Sequence, residues 1–214
     1  ITRLKRLIIV PYLKSTQNGT IGWSSVHSPF TEDGISPRSR LGLDNGIFWN
    51  TGDESDETGH ITEDPQMRIK MMDKRMSKLD LILKQVPKDE QIVSYGVHDY
   101  TIISWGSTKG PILDALEMLK KEGIDIGFIQ IKLIHPFPTE HVKSLLENVK
   151  TIIDIEANHS GQLGKIFKQN VTREIDYFIP KYSGRGMTST EIYESLKKIT
   201  ENKANKREVL EHGA

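Results

Sequence analysis

Tyr100-Thr101-Ile102-Ile103-Ser104-Trp105, then Gly106-Ser107-Thr108-Lys109-Gly110, then the segment Pro111 to Lys121, form the stretch whose reading decides the fold. The first six residues are mostly β-branched or aromatic and predict a strand. The glycine-bounded pentapeptide predicts a turn. Ile112, Leu113, Leu116 and Leu119 then recur at helical spacing, and Gly123 is placed to stop the helix. The same unit repeats downstream. Strands are predicted at Ile126 to Leu133, Thr151 to Ile155 and Tyr177 to Ile179. Helices are predicted at Thr139 to Asn148, about Gly161 to Val171, and Thr188 to Ile199. Near-continuous apolar strands alternating with helices predict an α/β fold, a parallel sheet with helices on both faces.

Upstream of Gln91 the texture differs. From Leu4 to about Asn50 apolar runs are short and turn residues dense, with one strand expected at Leu7-Ile8-Ile9-Val10 before Pro11. The acidic tract Asp53-Glu54-Ser55-Asp56-Glu57 follows and predicts a solvated loop. Thr62, Glu63 and Asp64 then offer cap oxygens, and Pro65 suits a first helical turn. Ile69, Met72, Met76, Leu79, Leu83 and Val86 make an amphipathic seam that Pro87 ends. This bridging helix, at about 65–86, is expected to fill core with its methionines and to pack one domain on the next. The expected organisation is one domain over 1–90, a second over 91–200, and a polar tail over 201–214 that frays.

Composition narrows the function. Lys plus Arg (29) equals Asp plus Glu (29) in 214 residues, which excludes the broad positive footprint of a general nucleic-acid binder. No run approaches the roughly eighteen apolar residues of a membrane span. Ile1-Thr2-Arg3-Leu4-Lys5-Arg6 lacks the apolar core of a signal peptide, and without an initiator Met the N-terminus reads as a cut end of a longer polypeptide. The absence of cysteine excludes disulfides, a thiolate nucleophile and a Cys-held cluster or zinc site in this chain. A reducing cytoplasm suits that composition.

Two loops could carry chemistry. Gly106, Ser107, Thr108 and Lys109 stand at a strand-to-helix junction, where backbone N–H groups, hydroxyls and an ammonium favour an anion. They match neither a Walker loop nor the G-x-G-x-x-G fingerprint, so a plain turn with a hydroxyl cap is the competing reading. Glu156 and Asn158 open the corresponding junction after the third strand and are expected to point into the same crevice, at a ligand or interface edge; a helix cap is again the competing reading. The seven histidines form no i, i+4 pair and the acidic tract lacks calcium-loop spacing, so no metal site is expected. No complete active site is expected, and no catalytic residue is assigned.

Several segments together resemble one family. Ser28-Pro29-Phe30-Thr31-Glu32-Asp33-Gly34-Ile35-Ser36-Pro37-Arg38 resembles the D-G-[IV]-S-P-R loop of the alpha subunit of 2-oxoacid:ferredoxin oxidoreductases. Gly59-His60-Ile61-Thr62-Glu63-Asp64-Pro65, Ser104 to Gly110, Pro136-Phe137-Pro138 and Glu156 to Gly164 follow in the family's order. The resemblance implies that residues 1–90 are the tail of a thiamine diphosphate pyrimidine-side domain and 91–200 a transketolase C-terminal-like domain. It implies an enzyme that oxidatively decarboxylates a 2-oxoacid such as pyruvate or 2-oxoglutarate with coenzyme A, giving acyl-CoA and carbon dioxide and reducing ferredoxin. Thiamine diphosphate, magnesium and a [4Fe-4S] cluster would be carried mainly by a partner beta subunit. The family's Y-P-I-T-P-S-type segment and its G-D-G motif have no counterpart here, since Gly52-Asp53 is followed by Glu54. This chain would then serve as scaffold and subunit interface, inactive without the rest of the alpha chain. Two other readings are the C-terminal portion of another thiamine-dependent enzyme and a stand-alone coenzyme A- or nucleotide-binding module using Lys109.

Overall fold

The computed structural model describes residue 36, residues 51–57 and residues 59–212. The strand expected at Leu7 to Val10 and all of the loop from Ser28 to Arg38 except Ser36 lie outside the described residues. The chain divides into two compact units, Ile1–Gln85 and Val86–Ala214.

In the first unit, Ser55 and Ile61 pair in an antiparallel bridge, and the chain then enters helix α1, Pro65–Gln85. Asp64 caps it, its carboxylate accepting from the N–H groups of Gln66 (3.3 Å) and Met67 (3.0 Å), as expected before a first-turn proline. The acidic tract is not simply a solvated loop. Glu54 accepts from Arg68 at 2.9 Å and from Arg75 at 2.6 and 2.8 Å. The Arg75 hydrogen bonds outweigh burial and pull the Glu54 carboxyl down to about 2. The expectation that the methionine seam fills core is corrected: no residue of α1 is buried, and Ile69 and Met76 are more than half exposed. Periodicity tells which face of a helix is apolar, not what covers it.

The second unit opens with α2, Lys88–Gln91, and β1, Ile92–Ser94. There follow β2 (Tyr100–Ser104), α3 (Lys109–Lys121), β3 (Gly127–Ile131), α4 (Thr139–Leu145), β4 (Thr151–Glu156), α5 (Gln162–Val171), β5 (Tyr177–Pro180) and α6 (Ser189–Thr200). The strands form one sheet in the order β1-β3-β2-β4-β5. The last four strands run parallel, as the alternation predicts; β1 adds an antiparallel edge, Ile92 opposite Ile131. From β2 the chain winds outward first to β3 and then, on the other side, to β4 and β5. The switch point of this doubly wound sheet therefore lies between β2 and β4.

Both faces are covered. Ile102, Phe128 and Ile153 turn to α3 and α6, meeting Ile112, Leu119 and Leu196. Ile103, Ile129 and Ile152 turn to α4 and α5, meeting Val142, Leu163 and Phe167. Adjacent strand residues thus serve opposite cores, which is why these strands read as continuous apolar runs. Gly123 stops α3 with a φ of 79°, and the N–H of Ile124 donates to the carbonyl of Leu119 at 3.1 Å. Thr188 and Glu191 form a capping box at α6.

The expectation that the tail frays is also corrected. Residues 206–210 lie along β5: Phe178 N–H donates to Lys206 O at 2.8 Å and Leu210 N–H to Pro180 O at 3.0 Å. Leu210 is buried in the core. One apolar anchor and an open sheet edge suffice to order a polar segment. Among the described residues, no helix is long and apolar enough to cross a membrane.

Candidate functional site

The crevice beyond the carboxyl ends of β2 and β4 is where an open parallel sheet collects ligands. The structure brings both sequence-predicted loops there. Gly106 opens a short 3-10 turn, Gly106–Thr108, with a φ of 69°. Ser107 beside it is exposed. Thr108 is buried and faces inward. Its hydroxyl lies 2.5 Å from that of Ser104 and donates to the Trp105 carbonyl at 2.9 Å, while the Ser104 hydroxyl donates to Ile155 O at 2.5 Å. Lys109 turns away from the crevice, its ammonium 5.3 Å from the centroid of the Tyr95 ring.

Glu156 is fully buried and ties the two loops together. One carboxylate oxygen accepts from Trp105 Nε1 at 3.0 Å and Asn158 Nδ2 at 2.7 Å. The other accepts from the backbone N–H groups of Leu163 (2.9 Å) and Gly164 (3.2 Å), in the first turn of α5. The anion-binding end of α5 is thus occupied by a carboxylate of its own fold. Asn158 completes the loop, its Oδ1 accepting from Ser160 and Gly161 N–H at 3.0 and 2.8 Å. Burial opposes charge on Glu156, yet hydrogen bonds from Asp154, Leu163, Trp105 and Asn158 hold its carboxyl below the usual range.

Sequence reasoning missed Asp154 and Trp105. Asp154 is two residues before Glu156 on the same face of β4 and is 1% exposed. Burial first, and then the charge of Glu156, push its carboxyl up to about 9. An acid inside an apolar strand is the signal that could have found it. Trp105 carries no such signal, because its partner is 51 residues away. Farther along the edge, Lys181 is buried against Glu191 at 2.7 and 2.8 Å. Among the described residues, no group of His, Asp or Glu could hold a metal ion.

The geometry is that of a braced switch point in which the donors around Glu156 are already taken. Known proteins give it a family. Residues 98–200 match the family described as pyruvate:ferredoxin oxidoreductase core domain II. The 2-oxoacid:ferredoxin oxidoreductase subunit alpha of Saccharolobus solfataricus is 42% identical over 186 residues, 86% of this chain and 29% of that one. The alpha chain of a probable 2-oxoacid ferredoxin oxidoreductase from Thermoplasma acidophilum is 42% identical over 52% of this chain and 98% of that one, with a TM-score of 0.38. This chain belongs to the 2-oxoacid:ferredoxin oxidoreductase alpha-subunit family. The α/β fold agrees. The structure of 2-oxoglutarate:ferredoxin oxidoreductase from Magnetococcus marinus, solved with 2-oxoglutarate, coenzyme A and succinyl-CoA bound, is 30% identical with a TM-score of 0.67. It covers 78% of this chain and 29% of that one. The chain spans 28–29% of the length of its first curated relatives in this oxidoreductase family, which are named as alpha subunits and so imply further subunits.

Proposed function

We propose that this chain is part of the alpha subunit of an enzyme that oxidatively decarboxylates 2-oxoacids with coenzyme A, releasing acyl-CoA and carbon dioxide and reducing ferredoxin. Its own share of the work is scaffolding and subunit contact. The observation that carries this reading is the 42% identity to a named alpha subunit across 86% of the chain. The braced crevice supports the division of labour, since Glu156 already engages the indole, amide and backbone donors that a ligand would otherwise use.

Thiamine diphosphate, magnesium and a [4Fe-4S] cluster belong to the complete enzyme in this reading. The residues present do not fit the cluster, because a chain without cysteine has no thiolate to offer it. We therefore place these groups mainly on a partner beta subunit, with ferredoxin as the electron acceptor and the cytoplasm as the location. Residues 1–90 would complete a thiamine pyrimidine-side domain with the rest of the alpha chain. The contribution of residues 91–200 to rate is positional, and a misplacement of about 1 Å elsewhere in the site can lower rate on the order of 100-fold.

The test is reconstitution. Joined to the rest of the alpha chain and combined with the beta subunit, the protein should support 2-oxoacid- and coenzyme A-dependent reduction of ferredoxin or a viologen dye. Failure of every 2-oxoacid tried, in an assembled complex with its cluster intact, would refute the reading.

A further inference from the structure

The carboxyl end of β4 holds two acids that no cation among the described residues neutralises. Asp154 and Glu156 project from the same face of the strand, and neither reaches solvent. Four donors converge on Glu156, an arrangement that suits a carboxylate and not a carboxylic acid. Asp154 Oδ2 lies under the first turn of α5, where a Cβ on Gly164 would stand 2.5 Å from it. Asp154 Oδ1 has no hydrogen-bond partner among the described residues. The two acids meet at Gly164, whose N–H donates to Glu156 at 3.2 Å and whose Cβ position stands 2.5 Å from Asp154 Oδ2, so each acts on the other's charge.

The other groups on the packed elements are engaged elsewhere or apolar. Beyond β5, Lys181 is bound to Glu191. Before β5, the Asp176 carboxylate accepts from Ile152 N–H. Arg207 lies over the Phe178 ring and donates to the His159 carbonyl. Lys165 of α5 is exposed. Just past β2, among the described residues, the neutral indole of Trp105 faces the pair.

We propose that Asp154 and Glu156 hold one proton between them and that this proton is the latch of the switch-point crevice. While the proton is present, Asp154 O–H donates to Glu156, which stays turned inward and grips Trp105 and the start of α5. When the proton passes to water, two like charges face each other in a buried site. The least costly relief is for Glu156 to turn out, releasing the indole and opening the crevice between β2 and β4. Burial and the neighbouring charge set the release at about pH 9, so the latch is closed at neutral pH.

The experiment is a pH titration of the 214-residue chain from 6 to 10.5, followed by the indole N–H resonance of Trp105, identified by its loss in Trp105→Phe. Far-UV circular dichroism is recorded on the same samples. The expected result is a flat indole shift to pH 8, one transition near pH 9, and, above it, indole exchange at least about tenfold faster than in Asp154→Asn at the same pH. In Asp154→Asn, which can still donate but cannot ionise, the transition should vanish. An unchanged indole through pH 10.5, the same transition in Asp154→Asn, or a transition that tracks loss of helix in both proteins would overturn the proposal. Should Asp154→Asn fail to fold, the ¹³C carboxyl signal of Asp154 in the unaltered chain decides. A step shared with the indole supports the latch, and ionisation complete below pH 6 refutes it.

Discussion

Trp105 Nε1 donates to Glu156 at 3.0 Å, joining the ends of two adjacent parallel strands at the point where the sheet changes winding direction. The indole is 38% exposed, so an aromatic surface is held in one orientation by a buried carboxylate. That contact links the strand pattern of the sequence to the stiffness of the switch point.

Glu156→Ala should therefore loosen more than one element. It leaves the Leu163 and Gly164 N–H groups, the Asn158 amide and the Trp105 indole without their acceptor. The expected loss of stability is about 2–4 kcal/mol, since each buried donor left unpaired costs about 1–3 kcal/mol and some will find water. Urea unfolding checks it, together with faster hydrogen exchange in the first turn of α5.

Asp154→Asn should stabilise the chain, and increasingly so as pH rises. The folded carboxyl is raised to about 9, above an unfolded value near 3.9. The stabilising contribution is thus fully present only below the unfolded value, and it is lost as pH climbs toward the folded one. Across that window the slope is at most about 1.4 kcal/mol per pH unit. Urea midpoints at pH 5, 6.5 and 8 should fall for the parent relative to Asp154→Asn. Parallel lines would contradict the assignment.

Lys181→Met should cost about 3–5 kcal/mol, because it strands a buried Glu191 carboxylate. Burial disfavours that carboxylate's charge, and the hydrogen bonds from Lys181 and Thr188 overcome it. Adding Glu191→Gln to Lys181→Met should recover part of the loss while keeping an acceptor for the α6 cap. A double-mutant cycle measures the coupling.

Gly164→Ala should destabilise in spite of alanine's better helix propensity. The new methyl would meet Asp154 Oδ2 at 2.5 Å, a contact that forces the helix or the acid to move. The expected cost is about 1–3 kcal/mol, read as a lower thermal midpoint. Gly110→Ala, whose Cβ would meet nothing within 4 Å, is the control.

Much of the second unit was legible in the sequence because its strands are buried on both faces and its helices carry one apolar stripe. Tyr100 to Trp105 and Pro111 to Lys121 read almost as they fold. The three-residue β1 was not legible, since its pairing with β3 is a tertiary fact too short to leave a period. Residues 206–210 looked like a tail because order there depends on the free edge of β5 and a single anchor, Leu210. In the candidate site, the position of Glu156 and Asn158 followed from strand-end logic. The turning of Lys109 onto Tyr95 did not, because nothing local in Gly106 to Gly110 indicates which way that side chain leaves the loop. The α1 seam shows the converse: a clear pattern whose partner the pattern does not name.

The most direct test of the central claim measures dye reduction by the purified 214-residue chain alone, supplied with 2-oxoacid, coenzyme A, thiamine diphosphate, magnesium and a viologen. We expect no turnover above background, with activity appearing only when the rest of the alpha chain and the beta subunit are added. Steady 2-oxoacid-dependent reduction by the isolated chain would contradict the account.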